Sequence, residues 1–361
     1  MLKRVRVVML LALLALIVAG CATTPGEPEV VRETVEVPVT VEVERVETVV
    51  EEVEVTRVVE REVEVTRIVT PEAAAAETVV DVNLFEVTAE GLDFVDAPEE
   101  IPAGWTTFRL TNESSMAHFA MVQRLPEGMG IADQQAEVAP PFQEGMDLLN
   151  EGEVEAAMAA FGELPEWYGE VTILGGPGLT AAGETSQATV YLEPGTYLLE
   201  CYVKTDGIFH SYSPADGVYG MVHEFTVTEA VSDAPEPTAD VALTISSEGG
   251  FEVDGEMQAG DQTIAVSFED QIVHENFLGH DVHLVHLDED VDMENLATWM
   301  DWTQATGLET PAPATFLGGL HEMPAGETGY FTVELEPGDY ALIAEVPNPA
   351  GKGMLHTFTV P

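Results

Sequence analysis

Sulfur and imidazole side chains are the groups in this sequence best suited to chemistry. The chain contains two cysteines, Cys21 and Cys201, together with nine histidines and thirteen methionines. Sulfur and imidazole groups are ligands for transition metals, whereas two cysteines are too few for a disulfide framework. No phosphate-binding glycine loop, G-x-S-x-G motif or H-E-x-x-H motif occurs. The candidate chemistry is therefore metal binding.

The charge of the chain is strongly unbalanced. Of 361 residues, 66 are Asp or Glu and only 12 are Lys or Arg, which gives a formal net charge of −54 at pH 7. Nucleic-acid binding and docking on anionic lipid both require clusters of basic side chains, and the sequence has none. We therefore expect no nucleic-acid partner. The apolar fraction of 45% predicts folded domains rather than a disordered acidic polymer.

The N-terminus has the pattern of an export signal. Three basic residues precede an apolar run over residues 7–18, which is too short for a comfortable membrane span. The run ends in Val-Ala-Gly-Cys at residues 18–21, which resembles a bacterial lipobox. We expect residues 1–20 to be a lipoprotein signal peptide and Cys21 to carry the lipid that anchors an extracytoplasmic chain to the cell membrane. The alternative is an ordinary signal peptide with a chance cysteine.

Residues 21–78 form a segment of low variety, rich in Val and Glu. The string VEVTRVV at Val53 recurs as VEVTRIV at Val63. Strict Val/Glu alternation is typical of a strand, whereas Val46, Val49 and Val53 would share one stripe of a helix or coiled coil. Both conformations remain open. In either one the segment is too uniform for a globular core, so we interpret it as the lipidated N-terminus and a stalk.

The rest of the sequence contains an internal repeat. The string LEPGTYLLECYV at residues 192–203 matches LEPGDYALIAEV at residues 335–346, and the flanking segments match in the same order. An earlier match, MAHFAMVQRL with LGHDVHLVHL, places His118 opposite His280. The repeat predicts two copies of one domain.

Each copy has the signals of β structure. Short runs of β-branched and aromatic residues flank Pro-Gly turns. A helical insertion is predicted between Phe142 and Phe161, and a shorter one around Met293 to Ala305. We therefore predict an all-β fold of two tandem β-sandwiches, each with a short helical insertion. The predicted boundaries are domain 1 over residues 79–230, a linker over 231–239 and domain 2 over 240–361.

The motifs of the first copy resemble those of cupredoxins, the small blue copper proteins. The resemblance rests on the strings IPAGWTTFRLTNESSMAHFAMVQRL, LEPGTYLLECYV, GIFH and GMVHEFTV. It covers residues 79–228 and, more weakly at the metal positions, residues 240–361. It implies Greek-key β-sandwiches. It also implies a copper site with one His after an early strand and a Cys, a His and a Met from the last strand pair.

In this sequence the ligand order of the family is met by His118, Cys201, His210 and Met221. A thiolate, two imidazoles and a weak thioether suit a copper ion that changes oxidation state. The loop between His210 and Met221 is longer than is usual in the family. His223 is an alternative ligand, because residues two apart on a strand face the same side. The competing interpretation makes these residues ordinary core and loop side chains.

The second copy has lost the thiolate, because Ala344 stands opposite Cys201. It is rich in imidazole instead. We expect a weaker, thiol-free copper or zinc site there, and the alternative is solvent-facing or packing histidines. The candidate ligands of this second site are His280, His321, His356 and Met354.

The predicted function is that of a cell-envelope lipoprotein whose first cupredoxin-like domain binds copper for electron transfer or copper carriage. Its expected partners are the membrane, through the lipid on Cys21, and a redox or copper-exchange protein. The alternative is a metal-free binding or structural module. An enzyme is not expected, because two-domain copper oxidases and nitrite reductases use His-x-His pairs and a His next to the Cys. Here Tyr202 follows Cys201, and no His-x-His occurs.

Overall fold

The computed structural model describes residues 83–215 and 217–361. The predictions for the signal peptide, Cys21 and the stalk lie outside these residues. The described residues all belong to one compact unit. No helix in the described ranges is long and apolar enough to cross a membrane.

The fold is built mainly from β-strands, in which inward apolar and outward polar residues alternate. In the third strand, for example, Phe108 and Leu110 are fully buried, whereas Thr107 and Arg109 are half-buried on the other face. The strands are, in chain order, β1 Asn83–Glu90, β2 Asp93–Val95, β3 Glu100–Asn112, β4 Met121–Arg124, β5 Thr172–Ile173, β6 Thr185–Leu192, β7 Gly195–Glu200, β8 Lys204–Thr205, β9 Ile208–Phe209, β10 Val222–Val231, β11 Val241–Ser246, β12 Gly250–Asp254, β13 Gly260–Phe268, β14 Val282–His286, β15 Thr315–Leu320, β16 Thr328–Leu335, β17 Gly338–Ile343 and β18 Leu355–Val360.

Helices occupy both predicted insertions, but the first helical region begins at Ile131 and ends at Glu170, and a further 3-10 helix follows β17. Gly145 lets the two longest helices of the first insertion pack closely, because a Cβ at this position would lie 2.1 Å from the ring of Phe161. Asp292 caps the helix of the second insertion by accepting bonds from two backbone N–H groups. The all-β prediction with short helical insertions is confirmed. The helices are α1 Ile131–Asp133, a π-helical turn Gln134–Val138, α2 Ala139–Asn150, α3 Val154–Phe161, a 3-10 helix Glu166–Glu170, α4 Met293–Trp299 and a 3-10 helix Pro349–Lys352.

One sheet contains strands from both copies of the repeat. Its order is β12-β11-β13-β16-β6-β3-β10-β7-β4-β5, with β1 beside β3 and β2 beside β1. The copies join where β6 pairs antiparallel with β16, with Ala188 opposite Phe331. A second sheet has the order β15-β14-β17-β18, and β8 and β9 form a separate hairpin.

The core of the first copy lies between β1 and β3 on one side and β7 and β10 on the other. The first residues of β3 pair with β10, and its later residues pair with β6 and β1, so this long strand links both layers. The buried rings of Phe85, Phe108 and Phe225 meet between the layers, with centroids 4.7 to 6.0 Å apart. Burying such rings supplies roughly 1.5–3 kcal/mol each.

The repeated strings form the same local structure twice. The hydroxyl of Tyr197 donates to the carbonyl of Glu193 at 2.7 Å, and that of Tyr340 donates to Glu336 at 2.9 Å. In each copy the Leu-Glu-Pro-Gly turn thereby receives a bond from the tyrosine four residues later. The sequence match between the copies therefore corresponds to a match in hydrogen bonding.

Candidate metal centre

Cys201 and His210 are brought together by the short hairpin that follows β7. Its strands β8 and β9 pair antiparallel, and its turn residues Asp206 and Gly207 both have left-handed φ, 54° and 78°. A two-residue turn with positive φ at both positions suits the twist of a hairpin, and Asp-Gly is a preferred sequence for it. The N–H of His210 then donates to the carbonyl of Val203 at 2.8 Å. The chain therefore returns His210 to Cys201.

His118 is held by the loop that follows β3. Asn112, which is fully buried, donates from Nδ2 to the carbonyls of Met116 and Thr180 at 2.7 and 2.8 Å. His118 and Thr180 exchange two backbone hydrogen bonds, of 3.1 and 2.7 Å. These bonds fix the loop, so the position of the His118 ring is set before any ligand is bound.

The side chains of His118, Cys201 and His210 converge in the protein interior. Nδ1 of His118 lies 3.5 Å from Sγ of Cys201, and Nδ1 of His210 lies 3.9 Å from the same sulfur. All three residues are buried, and their ligand atoms lie within 4.8 Å of one another. Metal–nitrogen bonds of about 2.0 Å and metal–sulfur bonds of about 2.3 Å in a tetrahedral site separate such atoms by about 3.5 Å. The group therefore fits one metal ion, and its soft donors fit copper.

The ring of His210 is oriented by a hydroxyl on its far side. Nε2 of His210 lies 2.9 Å from Oγ1 of Thr205. When Nε2–H donates to this oxygen, the lone pair of Nδ1 faces the sulfur of Cys201. Nε2 of His118 is buried without a partner.

Burial sets the protonation of all three groups. It lowers the pKa of His118 to about 4 and that of His210 to about 3, where the nearby His118 adds to the effect. Burial raises the pKa of Cys201 to about 12, although the backbone N–H groups of Phe119 and Val203 bond the sulfur and oppose this shift. At neutral pH both rings are therefore neutral, and the thiol must lose its proton when it binds a metal.

Met221 is buried and tied by its backbone to two of these residues. Its N–H donates to the carbonyl of His210 at 2.6 Å, and its carbonyl accepts from the N–H of Cys201 at 3.1 Å. The long loop after His210 therefore closes on itself. Closure requires glycine at position 220, because a Cβ there would lie 2.3 Å from the carbonyl of Ser211.

His223, the alternative ligand, is directed elsewhere. Strand β10 begins at Val222, and Nε2 of His223 lies 3.1 Å from the carbonyl of Pro98. Its ring meets that of Phe85 at 6.3 Å. A shared face for Met221 and His223 requires both residues to lie on one strand. Strand β10 begins only after Met221, so the alternation of strand residues does not apply to this pair.

Several residues that support the centre were missed by the sequence analysis. Thr205 orients His210, and Asn112 holds the loop of His118. The Asp206-Gly207 dipeptide is a hairpin signal that was available in the sequence. The other contacts join residues far apart in the chain, and no local pattern encodes them.

In the second copy, the predicted ligands do not form one group. Nδ1 of His280 lies 3.0 Å from Nε2 of His274, and Nε2 of His280 lies 3.1 Å from Oδ1 of Asp270. His356 is half-buried on β18. In the described ranges, neither His280 nor His356 shares a cluster of three metal-ligating side chains with His321. The hydrogen bonds of His280 thus direct its ring away from the expected grouping.

The backbone around Ala344, which stands where the first copy has Cys201, is nevertheless preserved. The N–H of Ala344 donates to the carbonyl of Met354 at 3.0 Å, just as that of Cys201 donates to Met221. Both Ala344 and Met354 are buried. The second copy therefore has the same backbone hydrogen bond as the first centre but lacks its sulfur.

His321 belongs instead to a buried cluster with Asp281 and His283. Nδ1 of His283 accepts from the N–H of Leu179 at 3.0 Å, so the proton of the neutral ring is on Nε2. Nε2–H then donates to Oδ2 of Asp281 at 2.8 Å. Both ring nitrogens of His283 are therefore used by the protein. Coordination by this ring would require one of the two bonds to break.

Comparison with solved structures places blue copper proteins among those similar to this chain. Auracyanin A, a "blue" copper protein from the green thermophilic photosynthetic bacterium Chloroflexus aurantiacus, is 22% identical, with 40% of this chain and 98% of that chain covered and a TM-score of 0.22. Copper nitrite reductase from Nitrosomonas europaea is 11% identical, with 77% and 93% covered and a TM-score of 0.20. A multicopper oxidase is 14% identical, with 77% and 88% covered and a TM-score of 0.19. No family model and no curated protein matches the chain.

The prediction that the chain is not an enzyme is contradicted by this comparison. Multicopper oxidases and copper nitrite reductases, which are enzymes, align over 77–78% of the chain, whereas auracyanin A aligns over 40%. The prediction rested on the absence of a His-x-His pair and of a His beside Cys201. All these TM-scores are below 0.5.

Proposed function

We propose that His118, Cys201 and His210 bind one copper ion and that this centre transfers electrons. The observation that carries the proposal is the convergence of two Nδ1 atoms on one buried sulfur, at 3.5 and 3.9 Å. Met221, whose backbone bonds to both Cys201 and His210, is the proposed fourth ligand. A thiolate with two imidazoles is the donor set that suits copper in electron transfer.

The residues around the centre have distinct roles in this proposal. Bound copper would supply one-electron chemistry by alternating between Cu(I) and Cu(II). The protein excludes water, because His118 and Cys201 are fully buried and His210 is 3% exposed. Asn112 and Thr205 hold the two imidazoles in place. A group held in this way changes little when an electron arrives or leaves, which keeps the transfer fast.

We extend the proposal to the cellular setting. Cys21 would carry the lipid anchor, and residues 21–78 would be the stalk that holds the described unit away from the membrane. The copies at residues 79–230 and 240–361 would then face an extracytoplasmic redox or copper-exchange partner. The lipobox-like sequence and the low variety of the stalk support this placement.

The test is copper loading of the purified full chain in air. We expect one copper ion at this centre and an intense visible band, because a thiolate bound to Cu(II) gives a strong charge-transfer transition. Cys201→Ser should abolish the band. The matched control is His223→Gln, because His223 lies on the adjacent strand but contacts Pro98 rather than the sulfur.

The outcome also separates the two proposed imidazole ligands from His223. His118→Gln and His210→Gln should each remove or shift the band, whereas His223→Gln should leave it unchanged. A colourless wild-type protein after loading, or a band that survives Cys201→Ser, would contradict the proposal.

A further inference from the structure

A cavity of about 200 Å³ lies beside the candidate metal centre and takes no part in it. Cys201 and His210 face the centre, whereas the residues next to them in the chain line the cavity. The neighbours that line the cavity are Glu200, Tyr202, Phe209 and Ser211.

Aromatic rings form much of the cavity wall. The helical insertion contributes Phe142 from α2 and Phe161 from α3, and the second copy contributes Trp302. The three rings contact one another, with centroid separations of 5.8 to 6.0 Å. The insertion thus places aromatic rings in the cavity wall, together with the aliphatic side chains of Ala139 and Leu164.

The polar groups of the cavity are acidic or hydrogen-bond acceptors. Glu200 comes from the first copy and Glu322 from the second, and no Lys, Arg or His occurs among the described lining residues. Oε2 of Glu322 accepts only the N–H of Gly279, at 2.5 Å. Asn276, a fully buried lining residue, has an Oδ1 without a partner. The cavity therefore offers two carboxyl groups and further acceptors without a cation to match them.

Burial leaves the carboxyl group of Glu322 poorly compensated, whereas Glu200 accepts a hydrogen bond from Nε2 of Gln123. Burial raises the pKa of Glu322 to about 8, and Asp281 adds to this shift. Burial also raises the pKa of Tyr168, and the charges of Glu200 and Glu322 raise it further. A positive charge placed between them would remove this cost.

An open groove leads to the cavity and shares Tyr168, Ile173, Phe277 and Glu322 with it. Phe277 lies where the two meet, and its side chain is 45% exposed. Its φ is 66°, in the left-handed region that bulky residues avoid. Such strain is found at ligand clamps and functional sites. The backbone is therefore held in a costly conformation that places an aromatic ring at the entrance.

We propose that this cavity binds a small quaternary ammonium ion, with its methyl groups against the rings of Phe142, Phe161 and Trp302 and its charge facing Glu200 and Glu322. Aromatic faces attract cations, and desolvated cages of this kind recognise quaternary ammonium groups. A cavity of about 150 Å³ holds a benzene molecule, so this one accommodates a compact cation somewhat larger than benzene. The net charge of −54 favours approach of a cation over an anion.

The test is calorimetric titration of the metal-free full chain with choline and with 3,3-dimethylbutan-1-ol, its uncharged isostere. About 0.5 M NaCl in all solutions screens non-specific attraction to the acidic surface. We expect saturable binding of one choline per chain and at least about tenfold weaker binding of the isostere. Because no copper is present, the result does not depend on the proposed metal centre.

Two variants test the two halves of the site. Glu322→Gln removes an ionisable carboxyl group but keeps the shape, and it should weaken choline binding at least about tenfold while leaving binding of the isostere unchanged. Phe142→Leu removes a π face but keeps the cavity apolar, and it should also weaken choline selectively. The control is Glu184→Gln, at an exposed glutamate outside the cavity. Equal binding of choline and its isostere, or undiminished choline binding in either variant, would overturn the proposal.

Discussion

Oγ1 of Thr205 lies 2.9 Å from Nε2 of His210, on the side of the ring opposite the nitrogen that faces Cys201. The same oxygen lies 2.9 Å from Oγ1 of Thr310, which belongs to the second copy. The orientation of a proposed ligand in one copy is therefore supported by a residue of the other.

Replacing this hydroxyl tests its positioning role. Thr205→Val keeps the shape of the side chain but leaves Nε2 of His210 without a partner. We expect copper affinity to fall about 10- to 100-fold, measured by competition with a chelator, while the thiolate band remains because all ligands are present. The control is Thr189→Val, whose hydroxyl pairs with Thr107 in the sheet. Equal affinities of wild type and Thr205→Val would refute this role.

Gly220 should be intolerant of any side chain. A Cβ at this position would lie 2.3 Å from the carbonyl of Ser211 and 2.6 Å from that of His210. We expect Gly220→Ala to lower the free energy of unfolding by about 1–3 kcal/mol or more and to weaken copper binding, because the loop can no longer close. Denaturant titration and copper competition measure the two effects. Gly169→Ala, where nothing lies within 4 Å of the added carbon, is the control, and similar losses in both variants would argue against this account.

Most of the fold could be predicted from the sequence, because the sequence signals for its strands, turns and helices are local. Alternating strands and Leu-Glu-Pro-Gly turns are each encoded within a few residues, and so are the two helical insertions. The repeat also predicted that Ala344 occupies the position of Cys201, and their equivalent backbone bonds agree with this. The pairing of β6 with β16 had no such signal, because two strands far apart in the chain pair through generic backbone groups.

The candidate centre was predictable as a set of residue types but not as a geometry. The order of His118, Cys201 and His210 came from a family resemblance, and the structure brings these three together. The histidines of the second copy had no comparable order. Their grouping depends on hydrogen bonds such as those of His280 with His274 and Asp270, which sequence spacing does not determine.

Lys204 should make stability depend on alkaline pH. It is fully buried, and its ammonium donates to the carbonyls of Trp302 and Gln304 at 2.9 and 3.0 Å. Burial lowers its pKa to about 8, although nearby acidic residues oppose the shift. Below pH 8 the amine of Lys204 is protonated in both the folded and the unfolded chain, so the full cost of burying its charge lowers the stability of the fold. Between pH 8 and 10.5 the unfolded chain binds more protons, so stability due to this residue rises with pH.

The measurement is the free energy of unfolding of wild type and Lys204→Met at pH 7.5 and at pH 10. We expect the stability of wild type relative to the variant to rise by an amount on the order of 3 kcal/mol. Using the difference removes the contributions of tyrosines and of Cys201, which both proteins share. Lys352→Met, the same change at a partly exposed lysine, is the matched control. A difference that stays constant with pH would count against the assignment.

The two copies should unfold together. They share a sheet through β6 and β16. Lys204 donates to carbonyls of the second copy, and the hydroxyl of Tyr202 lies 3.1 Å from Oε2 of Glu345. We expect one calorimetric transition, with equal calorimetric and van't Hoff enthalpies. Two resolved transitions would show that these contacts do not couple the copies.

The burial of Lys204 also has a practical consequence for labelling chemistry. The described part of the chain has only two lysines, Lys204 and Lys352. An amine-reactive reagent reaches Lys352 at the surface, whereas the ε-amine of Lys204 is shielded from it. Modification of Lys204, detected as an increase in the mass of the chain, would therefore show that the two copies have separated.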